Sequence, residues 1–438
     1  MIKKLLLVFA ILFLPAGVFA VEKSDINIGF FDRFNDVCLS YYINQAFVNN
    51  HDAKQAAARV EQYRQQAKYS LGNELPSFSV GANYLGIHVP TLDNFALRKN
   101  AFVLPFMASY EPDFLLKNRD KTKSAKKVYE ASLYEEKAVY LALMSDVATV
   151  YTNVLQYDEL INRQNKLLDI YSEILNSDTK KFSRGVIDTN TLNKSGQNFE
   201  EVKGRLAELE KQRNILLMQL AVLTGESADN ISSMQRGSFD NFEYGDVIPQ
   251  EVSSDVIFAR PDVMASEAML EKAKIDIRVA RKEFLPSFRI TGLWAFNTIA
   301  PGSFFSWESS LAALIAGATQ DIFAGGRKVA NLKYQKAKYE ELFEKYKQVD
   351  LEAVKEVNTA LCFVKYDTSV DNNTIAKLDY EKKNYENSVK KYNRGVISKP
   401  EYLLSEAGLL TKEIDVLNSK TRRIVNYFTL YKAVGGQL

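Results

Sequence analysis

The stretch Lys181-Phe182-Ser183-Arg184-Gly185-Val186-Ile187 returns 210 residues later as Lys391-Tyr392-Asn393-Arg394-Gly395-Val396-Ile397. Two further matches keep the same spacing. Leu75-Pro76-Ser77-Phe78 recurs as Leu285-Pro286-Ser287-Phe288, and Asp52 has its counterpart in Asp262. Because one spacing holds for motifs that lie far apart, a whole structural unit has been duplicated. The sequence therefore predicts a first structural repeat over residues 21–240 and a second over residues 241–438.

The N-terminus has the pattern of a secretory signal peptide. Lys3 and Lys4 precede an apolar run from Leu5 to Leu14, and Val18-Phe19-Ala20 provides the small residues of a cleavage site. The apolar core is well short of the roughly 20 residues that a membrane-spanning helix needs. We therefore expect residues 1–20 to be a signal peptide, removed after Ala20 when the protein is exported.

The composition argues against several classes of function. The 56 basic and 54 acidic side chains nearly cancel, which disfavours nucleic acid as a partner. Cys38 and Cys362 lie at unmatched places in the two repeats, so a disulfide framework is not expected. With His51 and His88 as the two histidines of the chain, there is little scope for a metal site. No nucleophile, base and orienting group form a recognisable set, so we predict no enzymatic activity and no cofactor.

Each repeat is predicted to contain a helix, two strands, a very long helix, a turn and another long helix. The expected helices lie near 52–72, 118–178 and 189–224 in the first repeat, and near 262–283, 326–388 and 399–434 in the second. A helix over 118–178 would be roughly 90 Å long. Apolar residues recur every seven positions in the two longest helices, which is typical of a coiled coil: Tyr134, Leu141, Ala148 and Leu155, and Leu342, Val349 and Phe363, interrupted by Glu356.

The predicted strands lie near 76–88, 100–112, 286–298 and 304–317, and their apolar residues alternate with polar ones. The apolar side of this alternation includes Phe78, Val80, Tyr84, Phe102, Leu104, Phe106, Tyr110, Phe288, Ile290 and Trp294. Segments of about ten residues with aromatic side chains near their ends are typical of transmembrane β-barrel strands. A soluble β-sandwich would show the same alternation and stays open as an alternative.

Four strands cannot close a barrel, and an open sheet edge in hydrocarbon would leave backbone groups unpaired. If the chain spans a membrane, it must therefore form oligomers. Two copies would give eight strands, whose interior side chains fill the barrel, whereas three copies would give twelve and leave room for a channel. The strand count favours the trimer.

Several short motifs together resemble the TolC-like outer-membrane efflux protein family, closest to the outer-membrane factors of RND-type multidrug pumps. The resemblance covers nearly the whole mature chain. The motifs that carry it are Phe34-Asn35-Asp36, Leu220-Ala221-Val222-Leu223-Thr224-Gly225, Arg260-Pro261-Asp262-Val263, Ala280-Arg281, Phe284-Leu285-Pro286-Ser287 and Asp321-Ile322-Phe323-Ala324-Gly325-Gly326-Arg327. Many relatives in the pump subgroup carry an acylated cysteine at the mature N-terminus. This chain has Val21-Glu22-Lys23 there, so lipidation is not expected.

The resemblance implies a mostly helical homotrimer with a minor β part. Its long coiled-coil helices would form a trimeric α-barrel in the periplasm, and four strands from each chain would complete a twelve-stranded transmembrane β-barrel in outer-membrane lipid. The expected location is the outer membrane of a Gram-negative bacterium, with a large periplasmic part. The implied partners are a periplasmic adaptor (membrane fusion) protein and an inner-membrane pump.

The turns between the long helices are the candidate docking sites. Glycine permits the left-handed backbone that ends one helix, and Asp188 or Ser398 can cap the next. The resemblance implies that these turns form the periplasmic tip where the adaptor docks and the tunnel narrows. The docking candidates are Arg184, Gly185, Val186, Ile187 and Asp188 in the first repeat, and Arg394, Gly395, Val396, Ile397 and Ser398 in the second.

The gate candidates are Tyr392, Arg394 and Glu401. Glu401 matches the position of a family gate aspartate, but it also follows Ser398 by three residues, which is the spacing of a capping box. Both interpretations stay open. The second family gate position holds Leu404, and Thr191 is the first-repeat counterpart of Glu401. An acidic ring would be weaker here, which leaves Tyr392 and Arg394 as the better constriction candidates.

The function expected from these observations is a passive exit duct of a tripartite efflux system, through which drugs or other small molecules leave the cell. The nearest alternative with the same fold is the exit duct of a type I protein secretion system. A soluble periplasmic coiled-coil adaptor or scaffold is the alternative from another class. Duplicated strand pairs with aromatic ends disfavour the adaptor, which would carry a lipoyl-like or barrel-like domain beside one hairpin.

Overall fold

The computed structural model of the protein describes residues 26–89, 97–242, 254–297, 305–307 and 309–438. The predicted signal peptide and residues 243–253, near the start of the second predicted repeat, lie outside this part. Within it the chain is mostly α-helix with an antiparallel sheet, as predicted. The first helices are α1 (Gly29–Asp32), α2 (Val37–Asn49), α3 (His51–Gly72), α4 (Lys117–Ser183) and α5 (Thr189–Leu223). They are followed by α6 (Ser254–Phe258), α7 (Pro261–Lys282), α8 (Arg327–Asn393) and α9 (Lys399–Ala433).

The helices of the second half repeat those of the first at the spacing found in the sequence. Helices α7, α8 and α9 each begin 210 residues after α3, α4 and α5, at 261 against 51, 327 against 117 and 399 against 189. The predicted helix starts are correct to within one residue. The predicted ends of the two longest helices, 178 and 388, are too early. Each helix continues for five more residues, to 183 and 393, because its backbone first turns left-handed at Gly185 or Gly395.

The strands are β1 (Ser77–Val80), β2 (Asn83–Val89), β3 (Leu97–Tyr110), β4 (Ser287–Asn297) and β5 (Ser310–Thr319). They form an antiparallel sheet in the order β1-β3-β4-β5, with β2 also paired to β3. The predicted strand 76–88 is interrupted after Val80. Gly81 donates its N–H to the Pro105 carbonyl at 2.9 Å, but Pro105 has no N–H to donate in return. β1 and β2 nevertheless keep one common register on β3.

The fourth strand begins later than predicted. Of the residues expected to start it near 304, residues 305–307 and 309 instead form a turn, in which the Ser310 N–H donates to the Trp307 carbonyl at 3.1 Å. β5 then continues to Thr319, two residues beyond the predicted end. Residues 298–304 and 308 lie outside the described part.

The chain divides into two compact units that each take segments from both repeats. Unit 1 comprises residues 1–58, 134–264 and 349–438, of which the described part begins at residue 26. Unit 2 comprises residues 59–133 and 265–348. The repeat boundary at residues 240 and 241 therefore stays a prediction about duplication, because it does not coincide with a boundary between compact units.

Unit 1 has an aromatic core. The Phe30 and Tyr431 rings stack with their centroids 4.5 Å apart, and Phe31, Phe428 and Tyr151 are almost completely buried. The Tyr151 hydroxyl donates to the Asp36 carboxylate at 2.9 Å and accepts from the Gly237 N–H at 2.9 Å. Burial raises the pKa of Tyr151, so this hydroxyl stays protonated and keeps the Asp36 carboxylate satisfied inside the core.

The buried Arg260 side chain connects three helices of unit 1. Its guanidinium donates to the Ala433 carbonyl at 2.7 Å and pairs with Asp262 at 2.7 Å and Glu356 at 2.6 Å. Burial acts to raise the pKa of Asp262, but the hydrogen bonds and charge of Arg260 outweigh burial and lower it. Glu356, which breaks the heptad pattern in the sequence, thus has a structural partner.

Unit 2 contains the sheet and the helix segments next to it. Within this unit α4 contacts α7 through polar side chains: Lys282 pairs with Asp120 at 2.7 Å, Lys127 pairs with Glu271 at 2.5 Å, and the Ser124 hydroxyl donates to Asp276 at 2.6 Å. Burial acts to raise the pKa of Asp120, but Lys282 and its neighbouring charges outweigh burial and lower it.

Among the described residues, α4 is the helix that is long and apolar enough to cross a membrane. In its most apolar window, however, 67% of the residues are buried inside the protein. A core helix has the same composition, so this window is weak evidence for a membrane-spanning helix.

Candidate functional site

The register of the sheet places its large aromatic side chains on one face. Residues paired directly across antiparallel strands share a face, and Phe106 pairs with Trp294 while Tyr84 pairs with Phe102. We define the aromatic face by these residues: Phe78, Val80, Tyr84, Phe102, Leu104, Phe106, Tyr110, Phe288, Ile290, Trp294, Phe296 and Leu314. The strands predicted near 76–88, 100–112 and 286–298 therefore each have their predicted apolar residues on one side, as expected from the sequence.

The aromatic face is exposed in the single chain. Phe78 is 80% exposed, Leu314 is 77% exposed and Trp294 is 47% exposed, whereas Phe296 is partly buried between Trp294 and Phe305, with ring centroids 5.0 and 5.4 Å away. The opposite face carries Asn83, Arg289 and Thr291 together with apolar residues such as Met107. We call this second surface the mixed face.

The sheet has two edges without a partner strand among the described residues. β5 pairs with β4 alone, and β1 and β2 pair with β3 alone. The outer N–H and C=O groups of these edges thus have no sheet partner within the described ranges. Such edges either bind water or pair with another strand.

The turn between α4 and α5 is a Schellman motif, a left-handed ending of a helix. Gly185 has φ of 71°, its N–H donates to the Phe182 carbonyl at 2.9 Å, and the Val186 N–H donates to the Lys181 carbonyl at 2.9 Å. The next helix is capped by Asp188, whose carboxylate accepts from the Thr191 N–H at 2.9 Å. The predicted ending at Gly185 and cap at Asp188 are confirmed.

The turn between α8 and α9 has the same backbone. Gly395 has φ of 72°, its N–H donates to the Tyr392 carbonyl at 2.9 Å, and the Val396 N–H donates to the Lys391 carbonyl at 2.9 Å. The exposed fraction of Val396 is 68%, against 67% for its counterpart Val186. Both turns therefore present the same backbone and one exposed apolar side chain.

Glu401 takes part in the capping of α9. Its carboxylate accepts from the Ser398 N–H at 2.7 Å and from the Ser398 hydroxyl at 2.9 Å, and Pro400 lies in the first turn. The capping-box interpretation is confirmed, and the gate interpretation stays a prediction. The Ser398 N–H and hydroxyl, with a smaller contribution from Lys181, lower the pKa of Glu401. Hydrogen bonds from the Thr191 side chain and N–H similarly lower the pKa of Asp188.

Tyr392 lies in a cluster of three tyrosines beside the second turn. Its ring stacks on Tyr402 with centroids 4.9 Å apart, and the hydroxyls of Tyr385 and Tyr402 are 3.0 Å apart. The hydrogen bond between Tyr402 and Tyr385, together with burial, raises the pKa of Tyr402. Arg394 is exposed in the turn itself. Tyr392 could be selected from the sequence, whereas Tyr385 and Tyr402 were not predicted, although Tyr385 and Tyr392 are one heptad apart.

An ion pair between Lys399 and Glu173 connects the second turn to α4. The Glu173 carboxylate raises the pKa of Lys399. Nearby, Leu167, Ile170 and Ile174 of α4 pack with Leu403, Ala407 and Leu410 of α9. The second helical turn is therefore fixed to the first long helix by one ion pair and an apolar cluster. No pattern in the sequence points to Glu173, because the contact joins residues 226 positions apart.

Among the described residues, no three His, Cys, Asp or Glu side chains lie close enough together to hold a metal ion. The described carboxylates discussed above are occupied by caps and ion pairs.

Comparison with known proteins covers nearly the whole chain. The family described as "Outer membrane efflux protein" matches residues 42–226 and again residues 252–436. The cation efflux system protein CusC of Escherichia coli K12 is 25% identical over 425 residues, covering 94% of this chain and 89% of CusC. The probable efflux pump outer membrane protein TtgC of Pseudomonas putida is 23% identical over 431 residues, covering 96% of this chain and 86% of TtgC. The CmeC outer membrane channel of Campylobacter jejuni has a similar structure, with a TM-score of 0.87, 25% identity, and coverage of 97% of this chain and 90% of CmeC.

Proposed function

This chain belongs to the outer membrane efflux protein family, and on that premise we propose that three copies of it form one continuous exit channel. In this proposal the three sheets close into a twelve-stranded barrel in the outer membrane. The long helices α4, α5, α8 and α9 of each copy continue it as a twelve-helix tunnel in the periplasm.

The observation that carries the proposal is the sheet of unit 2, which has an exposed aromatic face and two edges that pair with no other strand in the described part of the chain. Apolar patches of this kind are rare on monomeric soluble proteins and mark a partner or membrane surface. In hydrocarbon the edges must be paired, because each unsatisfied backbone group costs several kcal/mol there. Pairing with further copies satisfies the edges, and lipid covers the aromatic face.

The mixed face would then line the lumen. Asn83, Arg289 and Thr291 lie on this face, and polar groups are expected where a barrel encloses water. The number of copies follows from the width of the barrel. Two copies would give eight strands and an interior filled by side chains, whereas three give twelve strands and leave a channel.

We further propose that the two helical turns form the periplasmic tip. The docking surface for the adaptor comprises Arg184 to Asp188 and Arg394 to Ser398. It is supported by the matching Schellman turns and the exposed Val186 and Val396. Tyr392, Arg394 and Glu401 remain the proposed residues of the constriction. The inner-membrane pump would supply the energy, and the cargo would be drugs or other small molecules.

The same fold would serve a type I secretion system, and the two functions differ in cargo and pump. The alternative of a soluble adaptor or scaffold is not supported, because the family match extends over both repeats.

Planar-bilayer recording on the purified mature protein tests the channel. We expect discrete single-channel openings and a particle mass of three chains in detergent. A water-soluble monomer without conductance would overturn the proposal. Dye efflux from cells that lack their own copy separates the two duct functions, since export of a protein without any small-molecule efflux would favour type I secretion.

A further inference from the structure

The two helical turns share a set of basic residues. Each basic position of the first turn is basic again 210 residues later, which gives the pairs Lys180 and Lys390, Lys181 and Lys391, and Arg184 and Arg394. The turns do not need these side chains for their shape, because glycine and main-chain hydrogen bonds form the Schellman motif. The positive charge has therefore been kept at the same places in both repeats for a reason other than the backbone.

The acidic residues of the turns are not shared between the repeats. Their counterparts are uncharged: Asp178 corresponds to Ser388, Asp188 to Ser398, and Glu401 to Thr191. Each of these carboxylates also has a local structural partner. Asp178 accepts a hydrogen bond from the Ser195 hydroxyl at 2.5 Å, and Asp188 and Glu401 cap the helices that follow the turns. The acidic residues therefore support the fold of one turn at a time, whereas the basic residues repeat.

The result is a local surplus of positive charge. Residues 178–188 and 388–401 contain seven basic and three acidic side chains, although the whole chain is nearly balanced with 56 and 54. Lys181 pairs with Asp178 at 3.6 Å, and Lys399 pairs with Glu173. The other five basic side chains are exposed and form no ion pair within the described ranges: Lys180, Arg184, Lys390, Lys391 and Arg394.

The two turns lie close enough together to act as one charged surface. Lys399 of the second turn pairs with Glu173 of the first long helix, and the charge of Lys181 reaches the Glu401 carboxylate across the two turns. A trimer would bring six such turns to one end of the tunnel. Each of the three shared basic positions would then occur six times around the tip.

We infer that this basic tip makes the channel selective for anions, so that its cargo consists of negatively charged small molecules and metal cations are disfavoured. The inference rests on the proposed trimeric channel and specifies the class of cargo. Rings of Arg and Lys select anions in pores, and rings of Asp and Glu select cations. A narrow aqueous passage between walls of low dielectric constant concentrates the field of such charges.

The acidic group at the proposed constriction does not offset the basic residues. Glu401 is used in the cap of α9, and the second family gate position is occupied by Leu404. Lys390, Lys391 and Arg394 lie within about one helical turn of each other, a distance of roughly 5 Å along the axis. The Debye length at physiological salt is about 8 Å, so all three charges act on the same short stretch of the passage.

Reversal potentials in planar bilayers test the selectivity of the purified mature protein. In a gradient of KCl we expect the permeability ratio of chloride to potassium to exceed one. The test variant is Lys180→Glu with Lys390→Glu, a repeat-related pair outside the docking and gate candidates. It changes the seven basic and three acidic residues of the turns to five of each, so the ratio should fall to about one. Lys180→Gln with Lys390→Gln should give an intermediate ratio.

The matched control makes the same change of charge away from the tip. Lys203 and Lys211 of α5 are 59% and 58% exposed, and the nearer one lies 15 residues beyond Asp188. That separation is roughly 20 Å along the helix, more than two Debye lengths. Lys203→Glu with Lys211→Glu should therefore leave the permeability ratio at the value of the unmodified protein.

Organic ions extend the test to molecules closer in size to a cargo. Benzenesulfonate and benzyltrimethylammonium are similar in size and opposite in charge, so their relative permeabilities report charge selection. We expect benzenesulfonate to be the more permeant ion in the unmodified protein and to lose this advantage in Lys180→Glu with Lys390→Glu. A preference of the unmodified protein for the cation would overturn the inference.

Two further outcomes separate the inference from the proposals that support it. An unchanged permeability ratio in the charge-reversed variant would show that the shared lysines serve another purpose, such as contact with an acidic partner protein, and would overturn the inference. Channel openings that prefer potassium would refute the anion selectivity and leave the proposed channel intact. The absence of any openings in the unmodified protein would refute the proposed channel itself.

Discussion

Leu116 and Gly326 stand 210 residues apart, one position before the two longest helices, and both have a left-handed backbone, with φ of 56° and 76°. The conformation is unusual for leucine and ordinary for glycine. Before α4, Asp113 stabilises the strained backbone at Leu116. Its carboxylate accepts the N–H groups of Lys117 and Arg119, each at 2.7 Å. The corresponding residue in the second repeat is Phe323, which cannot accept a hydrogen bond. The backbone of the turn has therefore been retained while its chemical support has changed.

The first prediction concerns Gly326. Gly326→Ala should lower the free energy of unfolding by about 1 kcal/mol, because an L-residue is strained in the left-handed region. A steric clash is not the cause, since nothing lies within 4 Å of an added Cβ at this position. Gly326→Asn should cost less, because asparagine tolerates this backbone. Urea unfolding in detergent, followed by circular dichroism, measures the effect.

The matched control for this prediction is Gly204→Ala in the interior of α5, where an added Cβ also meets nothing within 4 Å. Alanine is favoured over glycine in a helix by about 1 kcal/mol, so this variant should be more stable. The same chemical change should thus have opposite signs at the two positions. Stabilisation by both substitutions would contradict the backbone argument.

The second prediction concerns the Schellman turns. Gly185→Val and Gly395→Val should each abolish or strongly reduce dye efflux from cells, because a β-branched residue disfavours φ near 71° and displaces the docking surface. Gly185→Asn and Gly395→Asn are the controls and should retain most activity. Insertion in the outer membrane, checked by membrane fractionation, should be unchanged in all four. Normal efflux in both valine variants would remove the docking assignment.

The sequence predicted the helices better than the strands for a physical reason. Helix starts depend on local signals, such as Asp188 and Ser398 as caps, and these lie within a few residues of the boundary they set. The break after Val80 depends on Pro105, which lies on a neighbouring strand and withholds one N–H. The start of β5 depends likewise on a turn around Ser309 that has no periodic pattern.

In the candidate site, too, contacts within a few residues could be predicted from the sequence and contacts between distant segments could not. The capping box of Glu401 could be predicted from spacing, because both partners lie in one turn of chain. The Lys399–Glu173 pair and the contact of Tyr402 with Tyr385 depend on how helices pack side by side. Exposed charges have many possible partners in a sequence with 56 basic and 54 acidic side chains, so composition alone could not select this pair.

The third prediction concerns the pair of Lys399 and Glu173, which joins the second turn to α4. Lys399→Glu should place two carboxylates together and release the turn, so single-channel open probability in planar bilayers should rise. The charge-swapped double variant Glu173→Lys with Lys399→Glu should return toward the original value. The difference in open probability between Lys399→Glu and the original protein should become smaller in high salt, because exposed charges are screened. Identical gating of the single and double variants would contradict a role for the pair.

The fourth prediction is an acid sensitivity of the two helix caps. Hydrogen bonds lower the pKa of Asp188 and Glu401 in the folded chain, so their ionised forms favour the capped state. This contribution is complete at neutral pH, and it is lost as the pH falls below the unfolded values of about 3.9 and 4.3 and through the lower folded values. The probes are the backbone amides of Thr191 and Ser398, which donate to these carboxylates at 2.9 and 2.7 Å.

We therefore expect hydrogen-exchange protection of the Thr191 and Ser398 amides, relative to the unstructured rate at each pH, to decrease as the pH is lowered toward about 3. Asp188→Asn and Glu401→Gln are the matched controls, because asparagine can still cap a helix, glutamine can still complete a capping box, and neither titrates. Each variant should lose the acid response at its own amide and keep it at the other. An acid response that persists in both variants would show that another group titrates, and that the two carboxylates do not control the caps.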